Sequence, residues 1–153
     1  MEIRDKTGKI LISSETADFD SADLRGGVFC DLELEGKDFA DARLSGADFS
    51  RADLYWAILF RADCSNAIFQ GANLRGADLK EANLENTDFR EADLSRDNLR
   101  GPTELCEADL RGADLSTANL DGAEMRGARF DAQTKFPVHF DPLSFGMIQE
   151  ERN

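Results

Sequence analysis

A period of five residues constrains the fold of this chain more than any other feature of its sequence. Large apolar residues recur at every fifth position from Phe19 to Leu99, and the same spacing resumes from Leu105 to Phe130. Together they form the centres of 23 five-residue units. Neither the 3.6-residue period of a helix nor the two-residue period of a strand explains this spacing. The period therefore indicates a repeat architecture.

A second period of twenty residues appears when every fourth centre is grouped together. The groups differ in their aromatic content, as expected if like side chains stack in columns across coils about 4.8 Å apart. We treat the residue inserted before Leu105, assigned to Pro102, as looped out of the register. The column richest in phenylalanine is then predicted to form one stack in the core: Phe29, Phe49, Phe69, Phe89, Leu110 and Phe130.

Two other positions of the repeat are also nearly constant. The residue two before the centre is Ala in 17 of the 23 units, and the residue just before the centre is Asp or Asn in 15. Ala suits an inward position near a tight corner, where space is short. This A(D/N)LXX pattern, in units such as ADLRG, ANLRG and ADLKE, resembles the pentapeptide-repeat family. The resemblance implies an all-β fold, a right-handed four-sided parallel β-helix of nearly six coils.

The segments outside the repeat are predicted to cap the ends of the β-helix, because an open stack exposes apolar surface and unpaired strands. Residues 1–16 contain a hairpin pattern with DKTG as its turn. Residues 17–132 are assigned to the β-helix, with a one-residue bulge near Pro102. Residues 133–153 are assigned to a C-terminal cap, in which Asp141 and Pro142 favour a short helix reaching about Gln149. This tail resembles those of cyanobacterial family members.

Composition restricts the classes of partner. The chain has 31 acidic and 18 basic residues, a formal charge of −13, which disfavours binding to nucleic acid and to anionic membranes. No apolar run approaches the roughly 20 residues of a membrane span, and the amino terminus has no hydrophobic signal region. The three cysteines, Cys30, Cys64 and Cys106, are widely spaced and odd in number, which indicates free thiols in a reducing cytoplasm.

The sequence shows no constellation of catalytic or metal-binding residues. Catalysis requires convergent polar groups in a concave site, whereas the carboxylates here recur at regular outward positions. His139 is the only histidine and is predicted to be a capping or surface residue. The cysteines lack metal-binding spacing, and no glycine-rich phosphate loop is present. We therefore predict a protein that is not an enzyme and that uses neither a metal nor a cofactor.

An unusual aromatic cluster interrupts the regular polar surface at DLYWAILF. Tyr55, Trp56, Ile58 and Phe60 occupy outward positions around one corner, and they include the only Trp and the only Tyr. Aromatic clusters on a surface are typical of binding sites. Two alternatives remain open at this stage, namely packing of the cluster on itself and cover by the terminal hairpin.

A second irregularity is the break DNLRGPTEL. Asp97 replaces an inward Ala, Gly101 precedes the insertion, and Pro102 lacks the amide that a ladder hydrogen bond requires. The structural interpretation is a bulge in which the Asp97 carboxylate bonds nearby amides. The functional interpretation is a recognition loop.

The function predicted from these features is a non-enzymatic scaffold that presents flat faces to an unknown protein partner. The family resemblance also implies an alternative, since some members mimic the shape and charge of DNA and bind type II topoisomerases such as gyrase. Family analogy further suggests a regulator of cyanobacterial differentiation. A homodimer formed through the aromatic cluster or the C-terminal cap is a further arrangement that the sequence leaves open.

Overall fold

The computed structural model describes residues 2–13 and 19–151 of the chain. In it, the repeats wind into a coil with four sides, and the residue before each centre pairs in parallel with the residue twenty positions later. Asp23 pairs in this way with Arg43, and Asp48 pairs with Ile68. The predicted period of twenty residues is therefore confirmed for the coils that precede the break.

Each side of the coil is defined by one column of centres, and we number the sides in chain order. The columns are Phe19, Phe39, Leu59, Leu79, Leu105 and Met125 on side 1; Leu24, Leu44, Cys64, Leu84, Leu110 and Phe130 on side 2; Phe29, Phe49, Phe69, Phe89, Leu115 and Phe136 on side 3; and Leu34, Leu54, Leu74, Leu94 and Leu120 on side 4.

The corners between sides are tight turns with one residue at positive φ. After Leu24, for example, the Gly27 amide donates a hydrogen bond to the Leu24 carbonyl, and Gly26 between them has a φ of 66°. A turn of this kind is easiest for glycine, because glycine has no Cβ to clash. Several corners nevertheless hold larger residues, among them Trp56 with a φ of 56°.

The interior is filled by the centre residues and the small alanines that precede them. Phe49, Phe69 and Phe89 are fully buried. Their rings stack nearly parallel, with centroids 5.0 Å apart between Phe49 and Phe69 and 5.1 Å apart between Phe69 and Phe89. Alanines such as Ala62 and Ala77 are also fully buried. The core is therefore a solid stack whose stability comes from contacts between successive coils.

The break is larger than the single residue that the sequence suggests. Asp78 pairs with Glu104 rather than with a residue twenty positions later, and the spacing of the other ladders across the break is likewise 26 residues. Six residues, 97–102, are therefore excluded from the coil. Leu99 continues the five-residue spacing but is 76% exposed, so it is not a core residue.

This longer loop corrects the predicted phenylalanine column. Leu110 and Phe130 lie beneath Leu84 on side 2, and the residue beneath Phe89 is Leu115. The physical reason is that Asp97 stands where a buried Ala would turn the chain inward. A carboxylate is costly to bury in an apolar core, so the chain leaves the coil and re-enters one unit later.

The described part of the N-terminal segment is the expected hairpin. Strand β1 (Glu2–Asp5) pairs antiparallel with β2 (Ile10–Ser13), and β1 also pairs with β3 (Gly27–Val28) at the start of side 3. The predicted boundary between cap and β-helix, at residues 16 and 17, lies outside the described residues.

The C-terminal segment forms a further irregular rung and not the helix expected up to about Gln149. A single 3₁₀ turn spans Pro142–Phe145, and the Asp141 carboxylate caps it by accepting a hydrogen bond from the Leu143 amide. Gly146 then takes a left-handed conformation with a φ of 71° and ends the turn. Strand β5 (Ile148–Gln149) pairs in parallel with β4 (Arg129–Phe130). No helix in residues 2–13 and 19–151 has the length and apolar character that crossing a membrane requires.

Candidate interaction site

Trp56 links two features that are far apart in the sequence. It occupies the corner between sides 4 and 1, and its indole lies directly over Gly76 in the next coil. A Cβ atom on Gly76 would be only 2.5 Å from the indole Cδ1. The indole Nε1 donates a hydrogen bond of 2.5 Å to the Asp97 Oδ2, 41 residues away. The structure thus joins the aromatic cluster and the break in one site.

The Asp97 carboxylate organises the six-residue loop. Its Oδ1 accepts hydrogen bonds from the amides of Leu99 at 2.8 Å and Gly101 at 2.6 Å, while the Asp97 amide donates to the Gly101 carbonyl at 2.7 Å. The Trp56 indole and these amides lower the pKa of the Asp97 carboxyl. Because these donors favour the ionised form, Asp97 remains charged and the loop is held closed at neutral pH.

Thr103 connects neighbouring coils by hydrogen bonds at the corner where the loop interrupts the ladder. In a regular coil the corner amide donates to a carbonyl of the next coil, as Gly71 does to Arg90 at 2.9 Å. Here the Thr103 hydroxyl accepts from the Gly76 amide at 3.0 Å, and the carbonyls of Ser95 at 2.9 Å and Leu74 at 3.0 Å are both within reach of its single proton. Its side chain is fully buried. The hydroxyl therefore lies between the Gly76 amide and the Ser95 carbonyl, which would bond to each other directly in a regular coil.

Arg75 attaches the loop to the coil above it. Its guanidinium donates hydrogen bonds to the Asn98 side-chain oxygen at 2.6 Å and to the Arg96 carbonyl at 3.4 Å. The loop is therefore fixed by Trp56 and Arg75 as well as by its own Asp97. A loop held in this way loses little conformational entropy when a partner binds.

We call the wholly or partly exposed apolar residues on and around this corner the Trp56 patch: Tyr55 and Trp56 at the corner, Ile58 on side 1, Phe60 at the next corner and Leu99 in the loop. Leu99, Trp56 and Ile58 are 76%, 43% and 37% exposed, respectively. Tyr55 stacks on Trp56 with ring centroids 5.0 Å apart, and Phe60 is covered in part by the Arg61 guanidinium, 4.8 Å from its ring centroid. The described hairpin strands pair at side 3, and the patch remains exposed in their presence.

Other residues considered in the sequence do not converge on a chemical site. Cys64 lies in the core, where burial raises the pKa of its thiol. Cys30 and Cys106 are half-buried on opposite sides of the coil. Among the described residues, no group of His, Cys, Asp and Glu is arranged to hold a metal ion. His139 lines an open groove of about 440 Å³ beside Leu120 and Phe140 at the C-terminal end.

Many surface carboxylates are neutralised by arginines of adjacent coils. Arg51 binds Asp31 with an N–O distance of 2.6 Å, and Arg61 binds Asp41 at 2.7 Å. Both arginines lie twenty residues after their partners, so each pair spans two neighbouring coils. Exposed pairs of this kind contribute little to stability, but they reduce the negative potential of the surface they occupy.

Substituting Gly76 with alanine tests the position of the indole. The added methyl group would displace Trp56 and break its bond to Asp97, so we expect the tryptophan emission to shift to the red and the loop amides to exchange faster with solvent. Gly46 provides a matched control, since it has the same φ of 68° but a Cβ atom added there would meet nothing within 4 Å. Both variants incur the strain of positive φ, roughly 1 kcal/mol. Equal emission spectra for the two variants would contradict the described contact.

The fold and the site together define a class of protein, a solid β-solenoid that carries an organised apolar patch on its surface. The pattern of the family described as "Pentapeptide repeats (8 copies)" matches residues 17–59, 57–96 and 103–132. The chain therefore belongs to the pentapeptide-repeat family, whose members fold as right-handed β-helices and are generally non-enzymatic repeat proteins. The match stops at residue 96 and resumes at residue 103, which are the two ends of the excluded loop.

Two proteins of solved structure are similar to the chain in sequence. The pentapeptide repeat protein alr5209 from Nostoc PCC 7120 is 40% identical over 74% of this chain and 84% of its own, with a TM-score of 0.41. Rfr23 from the cyanobacterium Cyanothece 51142 is 33% identical over 65% of this chain and 63% of its own, with a TM-score of 0.33. The chain is thus similar in sequence to cyanobacterial pentapeptide repeat proteins.

A more distant structure is similar in fold. A trypsin-treated variant of QnrB1, a plasmid-mediated fluoroquinolone resistance protein, is 19% identical over 87% of this chain and 79% of its own, with a TM-score of 0.63. At this identity the similarity concerns the fold alone. No curated protein sequence shows significant similarity to the chain.

Proposed function

We propose that this protein is a non-enzymatic scaffold that binds another protein through the Trp56 patch. The observation that carries the proposal is the hydrogen bond between the Trp56 indole and Asp97, because it fixes an exposed aromatic side chain and an exposed loop in one arrangement. Aromatic residues that are large, rigid and partly exposed contribute most of the binding energy at protein interfaces. Fixing them before binding lowers the entropic cost of association.

The solid interior supports a binding role over a catalytic one. Alanine and large apolar side chains fill the coil, with Leu54, Leu59 and Ala57 behind the patch all fully buried. A substrate would therefore have to bind on the outer surface, where the patch offers apolar contact but few convergent polar groups. This arrangement favours recognition of another protein surface.

DNA mimicry is less well supported by the distribution of charge. The DNA backbone is charged along its whole surface, whereas among the described residues the carboxylates without an ion pair are most numerous on side 1 and several carboxylates of side 2 are paired with arginines. On side 2, Asp23 contacts both Arg25 and Arg43, and Asp109 contacts Arg111 and Arg129. The structural similarity to QnrB1 at 19% identity supports a common fold and is no argument for a shared binding target.

Affinity capture from the source cell tests the proposed function. We expect at least one protein captured by the wild-type chain to be lost, by tenfold or more, when Ile58 is replaced with serine. Ile68→Ser is the matched control, because Ile68 occupies the same outward repeat position on the opposite side of the coil. A capture profile that is identical for wild type and both variants would refute the proposal. Light scattering of the same proteins reveals whether the captured partner is a second copy of the chain.

A further inference from the structure

We propose that the partner presents a basic amphipathic segment, with an apolar stripe that contacts the Trp56 patch and Lys or Arg residues that contact side 1. This inference rests on the proposed function and specifies the chemistry of the partner. It depends on the patch itself and on the charges that surround it. The patch and these charges meet on side 1, where Ile58 and Phe60 project from the third coil of the stack.

Side 1 is the more acidic of the two opposite sides, 1 and 3. Among the described residues, side 1 carries four bases, Lys37, Arg61, Lys80 and Arg126, and eight acids, Asp20, Asp38, Asp41, Asp78, Glu81, Glu104, Glu107 and Glu124. The resulting formal charge is −4. On side 3 the acids are Asp31, Asp48, Asp88, Glu91 and Asp114 and the bases are Arg51, Arg90 and Lys135, a formal charge of −2. The exposed apolar residues of the patch thus lie on and beside a strongly negative face.

Several acids of side 1 form no close ion pair in the part of the chain that the structure describes. Arg61 is paired with Asp41, and Lys80 contacts both Asp78 and Glu104. Asp38, Glu81, Glu107 and Glu124 form no ion pair within 4.0 Å among the described residues. Asp38 is the ladder partner of Ile58, so one of these carboxylates adjoins the patch directly.

An apolar patch flanked by carboxylates favours a partner that is both apolar and basic. Apolar side chains of a partner would cover Trp56 and Ile58, while the long stems of its Lys or Arg residues would reach the carboxylates on either side. Complementary charges around an apolar centre increase the rate and specificity of association. An acidic protein, a nucleic acid or an anionic membrane would instead be repelled by the same carboxylates.

Two synthetic amphipathic peptides provide defined probes. They share one leucine stripe, and their polar faces carry lysine in one peptide and glutamate in the other. Trp56 is the only Trp of the chain, so its emission reports directly on occupancy of the patch, and calorimetry gives the affinity. We expect the lysine peptide to bind and to shift the Trp56 emission to the blue, and the glutamate peptide not to bind.

Matched variants separate specific binding from general attraction to an acidic protein. Asp38→Asn with Glu81→Gln removes two charges from side 1, and Asp48→Asn with Glu91→Gln removes two charges from side 3 at equivalent repeat positions. Asn occupies the position of Asp38 in other units, as at Asn83, where its side-chain oxygen also accepts a backbone amide. We expect the side 1 variant to bind the lysine peptide about tenfold more weakly, and the side 3 variant less than twofold.

The possible outcomes distinguish this inference from the proposed function. Equal weakening by the two charge variants, binding of the glutamate peptide, or no binding of the lysine peptide would overturn the assigned partner chemistry. The scaffold function would still stand if capture from the source cell depends on Ile58 and not on Ile68. If capture is independent of Ile58, the proposed function fails whatever the peptides do.

Discussion

Replacing Phe69 with alanine is expected to lower the free energy of unfolding by about 3–5 kcal/mol. Phe69 is fully buried, and its ring stacks between Phe49 and Phe89 with centroids 5.0 and 5.1 Å away. Alanine at this position would remove the ring from the middle of the column, and the rigid coils on either side cannot move together to fill the space. Chemical denaturation monitored by circular dichroism measures the loss.

Phe69→Leu is the matched control. Leucine already occupies the same column at Leu115, beneath Phe89, so the coil accommodates it. We expect this variant to lose much less stability than Phe69→Ala, because most of the apolar volume is retained. Equal losses for the two variants would show that the column is not a tightly packed stack.

Replacing Thr103 with valine is expected to lower the free energy of unfolding by about 1–3 kcal/mol, although the two side chains have nearly the same shape. Valine lacks the hydroxyl that accepts from the Gly76 amide and donates toward the Ser95 carbonyl. Because Thr103 is fully buried, water cannot replace the hydroxyl without disturbing the coil. We also expect faster hydrogen exchange at Gly76 and around the loop.

Thr117→Val tests the same chemical change on the surface. The Thr117 hydroxyl also accepts a backbone hydrogen bond, from the Glu91 amide at 3.0 Å, but the residue is exposed. Water can satisfy the Glu91 amide after the substitution, so we expect a loss of only a few tenths of a kcal/mol. If the Thr117 and Thr103 variants were equally destabilised, burial of the Thr103 hydroxyl would not be the cause.

The period and the direction of side chains could be predicted because the repeat imposes them locally. Each unit contains its own inward centre and small inward residue, and the phenylalanine column from Phe29 to Phe89 follows from the spacing alone. The length of the break could not be predicted in this way. Leu99 continues the five-residue spacing, and the carboxylate of Asp97 at an inward position is what indicates that the chain already leaves the coil there.

The candidate site could be predicted only in part. The aromatic cluster around Trp56 and the break at Asp97 are each irregular in the sequence, but their contact spans 41 residues and depends on the correct length of the loop. The roles of Thr103 and Gly76 were missed because they arise only between coils. A useful sequence signal is the Thr that stands in place of Ala immediately after the break.

The C-terminal helix was a reasonable expectation from Asp141 and Pro142, which do begin a helical turn. The turn ends at once because Gly146 adopts a left-handed conformation, and Ile148 then pairs with the edge of the preceding coil. An open strand edge offers hydrogen bonds that an isolated short helix cannot match.

The loop at residues 97–102 leaves and re-enters the coil at the same corner, and the ladders continue beneath it on the same four sides. Its length is therefore independent of the solenoid's periodicity, since extending a closed loop adds only a small entropic cost. Under the proposed function, insertions and replacements at this corner would alter which partner is recognised while the underlying stack stays unchanged. The architecture thus combines a surface loop whose length can change with a core whose five-residue repeat must be kept.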